Sequence, residues 1–164
     1  MDTTVPRLSD RLAVFAATLG PVGRMPKAPG TWGSAAALAA APFCFVPLPL
    51  PARIAALAVI LAGGAWAAGR AERVLGRKDP GCVVVDELLG QWAAFAPFQL
   101  GAPTPAMPLD LLELFVLFRI FDILKPWPVR AIDRSVPGGL GVMLDDLAAG
   151  GYAALVFALS RLLL

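Results

Sequence analysis

The sequence contains no histidine. That absence removes imidazole acid–base catalysis, phosphohistidine intermediates and histidine-ligated metal sites together. Cysteine is nearly absent too. Cys44 and Cys82 stand alone, fit no disulfide framework and lack metal-ligand spacing, so both are expected as small buried residues. Charge is scarce: 16% of the chain is Asp, Glu, Lys or Arg, against about 25% in ordinary soluble domains. A net charge of +2 offers no basic field, and no Lys/Arg run is interleaved with aromatics, so nucleic acid is not an expected partner. What replaces these residues is apolar. The hydrophobic fraction is 58% and the mean hydropathy is +0.72, which points to a protein whose solvent includes lipid.

The length suits one domain, 1–164. Residues 1–18 form a polar stub with a short helix over 8–19, suited to the membrane surface, and nothing in the stub has the pattern of a cleaved signal. Residues 20–33 are loop-rich. Five apolar segments follow, at 32–50, 54–69, 88–108, 109–125 and 147–164. Several sit at or below the roughly 17–25 residues that cross a bilayer as a helix. The expected fold is all-α: a compact multi-helix membrane bundle with about four to five apolar helices and cytoplasmic-face loops. No internal repeat is present.

The basic residues set an orientation. Arg7, Arg11, Arg24 and Lys27 precede the first segment, and only Arg53 lies between the first and second. Arg70, Arg73, Arg77 and Lys78 precede the third, and none lies within 88–108, which holds the next turn. Arg119, Lys125, Arg130 and Arg134 lie near or between the last two segments, and Arg161 ends the chain. The positive-inside rule then puts the N-terminus and the rich loops in the cytoplasm. Thr31, Asp86, Lys125 and Asp145 all fall at that face.

Ionisable residues in so apolar a chain are costly, at least about 2.5–3.5 kcal/mol at the centre of a membrane helix, so those retained invite a functional reading. Arg119, Asp122 and Lys125 recur every third position, each displaced about 60° from the last on a helix. Such a stripe is either an internal salt-bridge ladder or part of a site. Asp86-Glu87 and Asp145-Asp146 are each either solvated helix starts or members of a carboxylate cluster. Clustered carboxylates without histidine or useful thiols suit a hard cation, and Mg²⁺ fits. Gly138, Gly139 and Gly141 form either a flexible turn or a loop whose backbone N–H groups meet a phosphate. Thr31 and Ser34, in the run PGTWGS at 29–34, are either a helix cap or an anion-binding turn. Gln91, Trp92, Trp66 and Phe115 read as packing or interface residues.

Three runs carry a family likeness: PGTWGS at 29–34, DELLGQW at 86–92, and FRIFDILKPWPVRAIDRSVPGGLGVMLDDLAAG at 118–150. Together they resemble phosphatidylglycerophosphatase A, the bacterial enzyme that dephosphorylates phosphatidylglycerophosphate to phosphatidylglycerol. The likeness runs from about Leu19 to the C-terminal segment, with the motifs in the same order. It implies Mg²⁺ dependence, a multi-pass location in the bacterial cytoplasmic membrane, and a lipid phosphate substrate. The DE pair carries over to Asp86 and Glu87, and FDxxKP to Asp122 and Lys125. The pattern DxxxxGGxGxMxDD carries over to Asp133, Gly138, Gly139, Gly141, Asp145 and Asp146.

The expected metal ligands are therefore Asp86, Glu87, Asp145 and Asp146, with Asp122 joining them among the catalytic candidates. Lys125 is expected to hold phosphate, supported by Arg119, Arg134, Thr31, Ser34 and the three glycines. Asp146 or Asp86 would orient a water or attack directly. Other phosphatase chemistries are excluded. Histidine-dependent lipid phosphatases lack their catalytic residue here. Leu50 and Leu88 stand where a cysteine phosphatase needs arginine, and neither DxD nor DGxxAR occurs. A small cation-binding transport or scaffold protein is the rival from another class. It should carry ionisable residues at mid-membrane depth on several helices.

Overall fold

The computed structural model describes residues 7–97 and 107–163. Among them are seven α-helices, one short 3-10 turn at Val22–Arg24 and no strand, as an all-α fold requires. The helices are α1 (Leu8–Ala17), α2 (Pro29–Cys44), α3 (Leu50–Leu75), α4 (Val85–Phe95), α5 (Met107–Leu124), α6 (Val129–Ser135) and α7 (Gly138–Leu163). Their ends follow local chemistry. Pro29 occupies the first turn of α2, where its missing N–H costs nothing. α3 stops at Gly76, whose left-handed φ of 64° lets its N–H reach the Glu72 carbonyl. α5 ends at Leu124, and Pro126 blocks its continuation.

α4 is the axis of the bundle. Val85, Asp86, Leu89, Gly90, Gln91, Ala93, Ala94 and Phe95 are all buried, against α2, α3, α5 and α7. On one side Phe45, Phe95, Leu114 and Phe118 pack with Ala149 and Ala153. On the other, Leu89 and Met143 pack with Ala67, Ala68 and Ala71. So much buried alanine brings helix backbones close, which is how helices associate where lipid removes the hydrophobic drive. Trp92 belongs to this packing: it stacks on Phe45 at 4.8 Å and donates from Nε1 to the Ala37 carbonyl.

Helices overlap all five predicted apolar segments, but among the described residues only α3 and α7 are long and apolar enough to cross a membrane. The expected count of four or five is not reached on that criterion. α4 has 11 residues, α2 has 16 with Pro42 inside, and α5 carries Asp110, Glu113, Arg119 and Asp122. At 1.5 Å per residue, α3 and α7 are each about 39 Å long, enough for a hydrocarbon core of about 30 Å. Only 17% of the most apolar stretch of α3 and 33% of that of α7 is buried, so neither is the covered core helix of a soluble domain. Phe43, Val59, Trp66, Leu109 and Leu155 are among the large side chains left on the outside. The uncharged turn expected within 88–108 falls mostly at 98–106, outside the described residues.

Three further expectations change. The glycine run at 138–141 is not a loop: it is the first turn of α7, so Asp145-Asp146 lie two turns inside that helix rather than at its start. α3 continues through Arg70 and Arg73 to Leu75, and Arg70 binds Asp10 of α1 at 2.5 Å. Cys44 is exposed, because it sits on the outward side of α2's last turn with its thiol donating to the Ala40 carbonyl; Cys82 is half-buried.

Arg53 is 4% exposed and does not behave as a loop charge. Its guanidinium donates to the carbonyls of Val46, Leu48 and Ala96, at 2.5, 2.8 and 2.9 Å. It thus closes the C-terminal ends of α2 and α4 at the end of the bundle remote from the carboxylates.

Candidate active site

The site begins with a helix crossing. A Cβ on Gly150 would lie 2.2 Å from the Gly90 carbonyl, and one on Gly90 would lie 2.6 Å from the Asp146 carbonyl. Only glycine permits α4 and α7 to approach so closely. One helical turn earlier on each helix stand Asp86 and Asp146. The crossing therefore forces two carboxylates together, and Glu87 joins them from the next position on α4. Single oxygens from Asp86, Glu87 and Asp146 lie within 4.8 Å of one another. Gly30 makes room for the third: a Cβ there would meet Glu87 Oε1 at 2.1 Å.

Three acidic groups so arranged repel one another, and burial adds to the cost. Burial, then the charges of Glu87 and Asp146, pushes the Asp86 carboxyl well above its ordinary range, and burial likewise raises Glu87. Asp86 Oδ1, Glu87 Oε2 and Asp146 Oδ2 are buried with no hydrogen-bond partner. Buried carboxylate oxygens are rarely left so. An all-oxygen donor set of this kind suits a hard divalent cation such as Mg²⁺, which would satisfy those lone pairs and cancel the repulsion.

Cations surround the trio. Arg119 Nη1 bonds Asp122 Oδ2 at 2.5 Å, approaches Glu87 Oε1 at 3.9 Å and donates to Ser34 Oγ at 3.4 Å. The stripe seen in the sequence is thus partly the internal ladder: Arg119 and Asp122 pair at i,i+3. Lys125 leaves it. Its backbone turns left-handed just after α5, and Nζ reaches Asp145 Oδ2 at 2.5 Å and Asp133 Oδ1 at 2.9 Å. Burial opposes the charge on Lys125, but the hydrogen bonds to Asp145 and Asp133 outweigh it and hold the ammonium above its ordinary range.

These groups line one cavity of about 860 Å³ at a single end of the bundle. Its walls come from the N-terminal ends of α2, α4 and α7, the C-terminal end of α5, α6, and the loop after α3. Asp86, Glu87, Arg119, Asp122, Lys125, Arg134, Gly138, Asp145 and Asp146 all line it. Asp145 opens onto the cavity but lies on Lys125, outside the three-carboxylate group in which it was expected.

The remaining phosphate-binding candidates sit elsewhere. Gly139 packs on α3, where a Cβ would meet the Ala65 carbonyl at 2.2 Å, and a Cβ on Gly141 would meet the Val136 carbonyl at 2.0 Å. Both are approach residues, because the run is helical. Ser34 is fully buried behind Arg119, donating to the Gly30 carbonyl. Thr31 lines a neighbouring apolar groove. Lys78 and Asp79 were not anticipated as site residues. They enter from the loop after α3, which read as a polar link, and only the bundle's topology brings it over the cavity.

A family model, phosphatidylglycerophosphatase A, matches residues 15–161. Phosphatidylglycerophosphatase A of Escherichia coli is 38% identical over 134 residues, covering 80% of this chain and 73% of its own. The Haemophilus influenzae protein of the same name is 33% identical over 135 residues, 82% of this chain and 79% of its own. A Bacteroides thetaiotaomicron protein, whose name proposes a phosphatidylinositol-3-phosphatase, is 38% identical over 149 residues, 85% of this chain and 87% of its own. No solved structure gives a match. The extent of the family match, across every helix that lines the cavity, establishes that the chain belongs to the phosphatidylglycerophosphatase A family.

Proposed function

We propose that this protein hydrolyses the terminal phosphomonoester of phosphatidylglycerophosphate, yielding phosphatidylglycerol and phosphate for phospholipid synthesis, with Mg²⁺ held by Asp86, Glu87 and Asp146. The observation that carries the reading is the set of unpartnered, buried carboxylate oxygens on a cavity whose other walls supply Arg119, Lys125, Arg134 and Lys78. When bound, the cation would neutralise charge on the phosphoryl oxygens and so make the phosphorus more open to attack.

The chain's own residues do the rest. Arg119, fixed by Asp122 and Ser34, presents a guanidinium beside the carboxylate trio. Arg134 and Lys78 add positive charge at the cavity wall, drawing in a dianionic monoester. Lys125 stays protonated because Asp145 and Asp133 hold it, so its ammonium is a fixed countercharge rather than an acid. Asp86 or Asp146 orients the attacking water or attacks phosphorus itself; the geometry serves both routes. A transport path is the weaker reading, since the carboxylates gather at one end of the bundle.

The membrane setting belongs to the same proposal. α3 and α7 cross the bacterial cytoplasmic membrane and the cavity opens toward the cytoplasm, where the basic loops lie. The test is phosphate release by purified protein in detergent from phosphatidylglycerophosphate, with phosphatidylinositol 3-phosphate as a second substrate arm. Turnover of the first is expected to stop in EDTA and return with Mg²⁺. Undiminished release in chelator would defeat the metal assignment, and release from the inositol lipid alone would defeat the substrate.

A further inference from the structure

Beside the polar cavity lies a second, apolar groove of about 400 Å³, floored by α5 and edged by Thr31 of α2. Its floor consists of two parallel helical rows, Phe115–Arg119–Ile123 and Val116–Ile120–Leu124. Residues four apart form such ridges on a helix surface, and the furrow between them runs along the axis for about 14 Å. Val116, Ile120, Ile123 and Leu124 are between 42% and 71% exposed, so none of the described residues fills it.

The groove adjoins the active-site cavity. Arg119 and Ile123 line both spaces. Arg119 directs its guanidinium to Asp122 and Glu87 in the polar cavity. A ligand spanning the two would thus have its anionic end among the cations and its apolar end on α5, with the change of polarity at Arg119. Few ligands have that form. A phosphomonoester on a lipid does.

We propose that the α5 groove seats an acyl chain of the lipid being hydrolysed, and that Ile120 and Val116 make it a determinant of substrate chain length. This rests on the phosphatase reading above and assigns the part of the substrate remote from the reacting phosphate. Thr31 then sits near the glyceryl ester region, which accounts for a hydroxyl at the groove's edge rather than at the phosphate.

The test compares three substrates in one detergent: dioleoyl phosphatidylglycerophosphate, its dihexanoyl homologue and the fully deacylated compound. Ile120→Trp fills the groove. It is expected to lower kcat/KM for the dioleoyl lipid at least tenfold, and for the deacylated compound by less than about threefold, the dihexanoyl lipid falling between. Leu155→Trp, on the outer side of α7 away from both spaces, should leave all three rates alike. If Ile120→Trp does not fold, Ile120→Asn and Val116→Asn are expected to show the same ranking through lost apolar contact. An equal fall on all three substrates, or no fall on any, would overturn the groove assignment while leaving the phosphatase intact. Wild-type protein inert toward all three would overturn the phosphatase and the groove together.

Discussion

Asp145 and Asp146 are neighbours in the chain and serve different partners. Successive side chains on a helix diverge by about 100°, which lets two adjacent carboxylates reach different partners. Asp146 faces α4, where Asp86 and Glu87 wait, and Asp145 faces Lys125. The pairs themselves were legible in the sequence as costly charges in an apolar chain. Which member of each pair points where was not, because that depends on the α4–α7 crossing. The division makes a sharp expectation. At Mg²⁺ near 100 times its Kd, binding to the native state alone adds about 2.7 kcal/mol of stability, read as a rise in Tm. Asp86→Asn, Glu87→Gln and Asp146→Asn should each abolish that rise and lower the rate by on the order of 10²-fold or more. Asp145→Asn should slow turnover by loosening Lys125, yet keep the rise. Its disappearance in Asp145→Asn would return that residue to the ligand set.

At the scale of the element, the glycines matter as spacers. The run at 138–141 resembles a phosphate loop because glycine is the residue of both loops and close helix contacts. Local sequence does not distinguish the two, since the partner backbone is far away in the chain: Ala65 and Gly69 of α3 for Gly139. Gly90 and Gly150 set the α4–α7 crossing, and so the distance between Asp86 and Asp146. A Cβ on Gly90 would also lie 2.4 Å from Phe118. Gly90→Ala is therefore expected to cost about 1–3 kcal/mol of stability by overpacking, and to lose activity beyond that, since the carboxylates separate. Gly63→Ala on α3 is the matched control, with nothing within 4 Å of the added methyl. It should be neutral or stabilising by up to about 1 kcal/mol through helix propensity. Thermal melts and phosphate release on both variants decide the matter: a Gly90→Ala protein that melts and turns over like Gly63→Ala would sink the spacer role. Helix positions were legible from apolar runs and breakers, whereas helix lengths were less so. α3 runs past Arg70, where Asp10 on α1 pairs with that charge, a contact no local pattern announces.

Across the whole molecule, charge is distributed unevenly between the two ends. The cavity end gathers Lys78, Lys125 and Arg134, and α1 lies against that part of α3 through Asp10 and Arg70. Leu8, Leu12 and Phe15 of α1 form an exposed apolar stripe, suited to lying in a membrane interface. The remote end keeps two described arginines inside the helices, and both are held by the protein there. Arg53 is buried on carbonyls, and Arg161 is paired with Asp110 and Glu113. In the proposed orientation the basic loops of the cavity end lie in the cytoplasm. Phosphatidylglycerophosphate made at the cytoplasmic leaflet would then reach the cavity without crossing the bilayer. Single cysteines test this in a background where Cys44 and Cys82 are alanine. At position 134 or 78 a cysteine should resist a membrane-impermeant thiol reagent in intact spheroplasts and react after permeabilisation. At Pro47, exposed in the α2–α3 turn of the remote end, it should react in both. Labelling of Arg134→Cys in intact spheroplasts, with Pro47→Cys protected, would invert the topology and require the substrate to be flipped before hydrolysis.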